Sequence, residues 1–397
     1  MITHKEQVIN YFRDGIKTTN NFKIGIEHEK FLFDKNTNKR ATYEIIINMF
    51  TALNEFGWKP IMENKNIIGL KKNGKNITLE PGNQIELSGD KLNNIHEACA
   101  ESHDYLFELE QVTKKLNLSI VSAGFDPISK LNEVPNNPKQ RYKVMTRDMP
   151  NGGSLSLDMM YRTCGTQLNL DYNSEKDFVK KFKIVNSLVP ISIALFANSS
   201  IVEKKDSGYM SYRSKVWQET SRGGLPEVFF DNMDFEKYAD FAINFPLLFI
   251  QNEKKYLSGK SYSFLDFMNG KIKDIKNRFP TENDLTTHLS TIFTENRLKK
   301  YIELRSMDTC GWDCLCAGPA FNIGILYGNQ NEIYELISNW DRDKIINAYL
   351  EAPKKGFNTQ LMGKDLLYWA STLLNLSRKG LENRDILNKN EKNETLF

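Results

Sequence analysis

Phe22-Lys-Ile-Gly-Ile-Glu-His-Glu-Lys-Phe-Leu-Phe33 reads as a β-strand rich in Ile and Phe with two carboxylates at its centre. Residues two apart in an extended strand point to the same side, so Glu27 and Glu29 project together while Ile26 and His28 project the other way. Two neighbouring carboxylates on one face repel each other. A cation between them removes that conflict, and Mg²⁺ prefers clustered oxygen donors. A strand whose charges simply face water fits the same letters, so the choice rests on whether the pattern recurs.

It recurs downstream. Gln84, Glu86 and Ser88 alternate with Ile85 and Leu87, and Glu80 precedes a Pro-Gly turn that swings it toward the same place. Over Met159–Tyr172, read as a third strand, Thr163, Gln167, Asn169 and Asp171 share one parity opposite Leu168 and Leu170. Over Lys300–Asp308, Tyr301, Glu303 and Arg305 share a face, with Ile302 and Leu304 behind them. An acid beside an arginine also suits a structural ion pair. Four strands with this grammar describe a sheet used as a floor for chemistry.

Helical spacing surrounds these strands. Lys5–Gly15, Tyr43–Phe56, Leu92–Leu116, Ser174–Leu188 with Ser174 as its cap, Ile191–Phe196, Tyr262–Asn269 and Asp284–Phe293 all read as helices, as does most of Pro319–Lys392, broken near Pro353 and Gly356. Lys72-Asn73-Gly74 predicts a hairpin between Ile67–Leu70 and Ile77–Leu79. Leu118–Gly124 reads as a strand, Asp126–Lys143 as a long loop leading to the basic patch Arg141, Lys143 and Arg147, and Lys271–Pro280 as a linker. Arg213 and Arg222, with Trp217 between them, are suited to gripping a small carboxylate, or to lying in a plain surface loop.

Composition narrows the class. The chain has 397 residues, 40% hydrophobic and 26% charged, which describes a soluble globular protein of one large domain or two. A net charge of +3 argues for no nucleic-acid or membrane partner, so anion binding is local. The longest apolar stretch, Ser187–Val202, is interrupted by Pro190 and Asn198 and falls short of the roughly 20 residues of a membrane span. No apolar leader follows His4, so a cytoplasmic protein is expected. Cys310, Cys314 and Cys316 lack a fourth ligand for zinc, and with Cys99 and Cys164 they are expected as free thiols.

Gly25-Ile-Glu-His-Glu-Lys-Phe, Leu79-Glu-Pro-Gly-Asn-Gln-Ile-Glu-Leu-Ser-Gly, Met160-Tyr-Arg-Thr-Cys-Gly-Thr-Gln-Leu-Asn-Leu-Asp and Arg297-Leu-Lys-Lys-Tyr-Ile-Glu-Leu-Arg-Ser-Met-Asp closely resemble the plant and proteobacterial type of glutamate–cysteine ligase, in order from about Phe22 to about Arg384. The resemblance implies an α+β fold, a glutamine synthetase-like curved antiparallel sheet with helices on its outer side, spanning 1–397 as a single catalytic domain that ends short of the family's C-terminal helical tail. It implies metal ligands at Glu27, Glu29, Glu80, Glu86 and Glu303, with Glu27, Glu303 and Arg305 catalytic. It places glutamate at Arg213 and Trp217, with Arg222 and Gln167 beside them, and the nucleotide at Arg305 and Gln84.

ATP and two or three Mg²⁺ ions are the implied cosubstrate and cofactor, L-glutamate and L-cysteine the substrates, and a monomer or weak homodimer the assembly. A ligase using another amine, or a metal-dependent phosphohydrolase, remains open as an alternative. No Gly-x-x-x-x-Gly-Lys-Ser/Thr loop is present, so phosphates are expected to be held by metals and arginines. Plant members carry a hairpin disulfide, where this chain has Ser258 and Gly259.

Overall fold

Alternation of Ile24 and Ile26 with Glu27 and Glu29 gives the opening strand, Ile24–Asp34, one apolar and one polar face, and the rest of the sheet is laid against it. The computed structural model describes residues 1–397 except Lys254 and Lys276, the second of which falls in the expected linker and lies outside the described residues. One antiparallel sheet runs in the order Asn296–Leu298, Ile302–Asp308, Gly165–Leu170, Ile24–Asp34, Ile85–Ser88, Lys75–Leu79, Asn66–Lys72 and Lys59–Glu63. Leu118–Val121 pairs with the far end of the opening strand, Phe31–Asp34. The hairpin at Asn73-Gly74 closes with both residues at positive φ, 47° and 82°, as a two-residue turn of primed type requires.

The apolar side of the sheet carries most of the helices. Ile24, Ile26, Leu168, Leu170, Ile302 and Leu304 are buried against Glu175–Ser187, Val189–Leu195 and the C-terminal helices. A second cluster joins Leu70, Ile77, Ile85 and Leu87 to Tyr43–Leu53 and Ile95–Lys115. The fold is therefore the α+β arrangement that strand parity and the resemblance imply. Among the described residues no helix is long and apolar enough to cross a membrane.

Several local expectations change. The loop Asp126–Lys143 ends in a helix, Gln140–Asp148, because Tyr142, Met145 and Met149 form a buried stripe at helical spacing. The third strand begins only at Gly165, since Ser156–Arg162 is helical and buries Met159 and Met160 in the same cluster. Tyr212–Gln218 is a helix capped by Ser211 and not a loop. Pro353 lies within the helix Arg342–Lys355, and the break falls at Gly356, with φ of 53°.

The expectation of five free thiols is overturned at one pair. After the strand ends at Asp308, the turn at Gly311 brings Cys314 back onto Cys310, with Cα atoms 6.1 Å apart, and the two form a disulfide. Cys99, Cys164 and Cys316 remain thiols. Alkylation of the unfolded, unreduced protein is expected to label those three cysteines alone, with Cys310 and Cys314 labelled only after reduction. Mass spectrometry checks this, and five labelled thiols before reduction would refute the bridge.

Candidate active site

The polar face of the sheet floors a cavity of about 210 Å³. Glu27 and Glu29 reach it from the opening strand, and Glu86 stands directly opposite Glu29 on the neighbouring strand. Glu80 joins them from the turn before that strand. The helices Gln140–Asp148 and Ser156–Arg162 form the far wall through Arg141, Tyr142, Met145, Met159 and Met160. Trp217, Phe249 and Phe293 add an aromatic side.

Few neutral donors serve the four carboxylates. Asn169 Nδ2 donates to Glu27 at 2.9 Å, Thr78 Oγ1 to Glu86 at 2.7 Å, the Gly165 amide to Glu29, and the Tyr142 hydroxyl to Glu80 at 3.4 Å. Burial, then repulsion from Glu86 and Glu303, pushes Glu27 up to about 7 against the pull of Lys299. Burial, then Glu86 and Glu80, holds Glu29 well above the usual range, and burial, then Glu80, raises Glu86. As they lie, no three His, Cys, Asp or Glu among the described residues are spaced to hold one ion. The donor set nevertheless fits a hard divalent cation in kind, being all oxygen, crowded, and strained by its own charge.

Glu303 behaves differently from the expectation that grouped it with these acids. Both of its oxygens are occupied, by Arg297 at 2.6 and 2.9 Å, Lys299 at 2.6 Å and Arg305 at 2.7 Å. Burial alone would raise its pKa, but the three cations hold it well below the carboxylate range. As it lies, Glu303 anchors three cations and is not among the residues that line the cavity. Arg297 and Lys299 lie on and just beyond the edge strand Asn296–Leu298, which sequence parity missed.

The arginines also sort themselves. Arg213 and Arg305 both lie over the Trp217 ring, 5.4 and 5.2 Å from its centroid. Arg213 and Trp217 are four apart on one short helix, so they share a face. Arg213 Nη2 donates to the Arg305 carbonyl at 2.8 Å, while its Nε and Nη1, and Nε of Arg305, are buried without a hydrogen-bond partner among the described residues. Gln167 accepts from Arg305.

Arg222 turns away from the cavity that was expected to use it. Its guanidinium donates to Thr291 O at 2.9 Å, Thr291 Oγ1 at 3.1 Å and Pro246 O at 2.8 Å, clamping the cavity-lining loop. Gln84, expected to bind nucleotide, touches the cavity but donates to Met160 O and Thr163 O and accepts from the Gly82 amide, so its polar atoms are used in joining the turn to the third strand.

A family description, glutamate-cysteine ligase family 2 (GCS2), matches residues 23–395. The chain belongs to the glutamate–cysteine ligase family. Among related members of that family, the chloroplastic glutamate–cysteine ligase of Solanum lycopersicum is 41% identical over 389 residues, covering 96% of this chain and 74% of that one. The Arabidopsis thaliana chloroplastic enzyme is 39% identical over 389 residues, with the same 96% and 74% coverage. The crystal structure of a glutamate–cysteine ligase from Francisella tularensis in complex with AMP shares the fold, with a TM-score of 0.53 and 15% identity over 93% of this chain and 79% of that one.

Proposed function

We propose that this member of the family joins the γ-carboxylate of L-glutamate to the amine of L-cysteine at the expense of ATP, through a γ-glutamyl phosphate, giving γ-glutamylcysteine for glutathione biosynthesis. The observation that carries the reading is one cavity in which four glutamates face Arg305 and Trp217, with the Arg213 guanidinium stacked on the same tryptophan though not itself part of the lining. A carboxylate does not react with an amine at neutral pH. Phosphorylation of its oxygen by ATP releases ADP and supplies a leaving group, and the amine then attacks the acyl carbon while phosphate departs.

Each step gathers negative charge on phosphoryl oxygens. Arg213, whose guanidinium keeps donors without a hydrogen-bond partner among the described residues, holds the glutamate carboxylate against Trp217, and Arg305 faces the phosphoryl group. Glu27, Glu29, Glu80 and Glu86 would hold two or three Mg²⁺ ions, which supply charge neutralisation on the phosphates. Glu303 keeps Arg297, Lys299 and Arg305 together at the edge of that cluster. The same proposal takes the chain as one catalytic domain acting as a monomer or weak homodimer, in the cytoplasm; the plant relatives named chloroplastic speak for their own compartment.

A coupled assay of ADP release tests the reaction. Release that needs both glutamate and cysteine is expected. Release with neither amino acid indicates a phosphohydrolase, and preference for another amine in a panel reassigns the acceptor. Arg213→Lys is expected to raise KM for glutamate by about 30- to 100-fold, the loss of a two-pronged charged hydrogen bond, and to leave KM for ATP within about twofold. Equal effects on both substrates would place Arg213 outside the glutamate site.

A further inference from the structure

We infer that Asp308 is a positioning residue for glutamate recognition, holding the helix that carries Arg213 and Trp217 and balancing the Arg213 charge from behind. The inference rests on the reading of Arg213 given above. Strict alternation would point Asp308 with Leu304 into the helical core. The pairing of Ile302–Asp308 with Gly165–Leu170, however, shifts register between Leu304 and Met307. Leu304 and Met307 both pack in the core, and Asp308 is returned to the Arg213 side. Re-aiming a side chain is what such irregularities do in sheets.

Asp308 is 3% exposed, and apart from the Asn198 amide the contacts of its carboxylate lead to Arg213 or its helix. Oδ1 accepts from Ser211 Oγ at 3.0 Å, and Ser211 is the residue that caps the Arg213 helix by accepting from the Ser214 amide at 3.1 Å. Oδ2 accepts from the Asn198 amide at 2.8 Å and from Ser199 Oγ at 2.6 Å, and Ser199 Oγ in turn accepts from the Arg213 amide at 3.1 Å. Oδ1 also stands 3.9 Å from Arg213 Nη1, one of its two guanidinium nitrogens without a hydrogen-bond partner among the described residues. One buried carboxylate therefore fixes the cap, the first turn and the charge of the arginine, standing near Nη1 without hydrogen-bonding it and making no contact with Nε. A structural acid with no such task would not be linked by two serines to the same helix.

The test is steady-state kinetics on the full chain. Asp308→Asn is expected to raise KM for glutamate at least tenfold, with KM for ATP within twofold and kcat within threefold. Ser211→Ala, which keeps the charge and removes one link, is expected to raise KM for glutamate about threefold with the same selectivity, and it carries the test if the Asp308 variant does not fold. Arg213→Lys combined with Asp308→Asn is expected to show little beyond Arg213→Lys alone, because both act through one group. Equal changes in both KM values, or none, in the Asp308 and Ser211 variants overturn the inference while a glutamate-selective Arg213→Lys leaves the arginine reading standing. An unselective Arg213→Lys removes both.

Discussion

Glu27→Gln is expected to slow ADP formation by about 10²–10³-fold, the usual scale for losing one preorganised charge-stabilising group, and to raise the melting temperature of chelator-treated protein at pH 8 by a few degrees. The two effects share a cause. The carboxyl, near 4.5 when exposed to water, is pushed to about 7 by burial and by Glu86 and Glu303. Above pH 7 the folded protein must hold an ionised group where charge is resisted, while the unfolded chain does so freely. That penalty fades as pH falls from 7 toward 4.5, where the folded state keeps its proton. Gln removes the penalty along with the ligand. A fold-competent Glu27→Gln protein with undiminished turnover would remove this residue from the chemistry, and a lower melting temperature would show that its charge is balanced.

Glu303→Gln is expected to have the opposite sign on stability, destabilising by about 3–5 kcal/mol, the cost of removing one partner from a buried ion network. Arg297, Lys299 and Arg305 would be left crowded and buried with no anion in contact. Activity falls as well, because Arg305 loses the acid that holds it over Trp217. Denaturant unfolding at fixed pH reads the difference from wild type. An unchanged midpoint would mean that Glu303 is not the hub of this network.

These opposite outcomes mark where sequence reading stops. Parity on one strand is local, so Glu27 and Glu29 against Ile26 and His28 could be read from spacing, and so could the Asn73-Gly74 hairpin from its demand for positive φ. Which groups meet across strands is not local. Glu303 and Glu27 carry the same letter on similar strands, but only the fold brings Arg297 and Lys299 to one and Glu86 to the other. Arg222 and Arg213 likewise sit in similar neighbourhoods of sequence, yet one is used up by backbone carbonyls and the other keeps two donors free.

Some signals were present and outweighed. The stripe Tyr142, Met145 and Met149 was hidden behind the prolines of the preceding loop, so the helix bearing Arg141 and Tyr142 was read only as a basic patch. The register shift that re-aims Asp308 leaves no mark in alternation, because Leu304, Ser306 and Met307 all read as ordinary strand residues. The Cys310–Cys314 bridge depended on a turn whose geometry three intervening positions do not reveal.

The order of strands in the sheet bears on how the molecule comes to exist at all. Neighbours in space come from opposite ends of the chain: Ile302–Asp308 lies beside Gly165–Leu170, which lies beside Ile24–Asp34, and Lys30 Nζ donates to the carbonyl of Cys310, 280 positions away. Such contacts form only after long loops have closed, at an entropic cost that slows refolding. The cavity therefore completes late, since Gln167, Arg297 and Arg305 join the glutamates of the first strands only once those loops have closed, and a partly folded chain lacks the assembled site. Substrate or metal added during refolding should consequently leave the folding rate alone and slow only the return to the unfolded state.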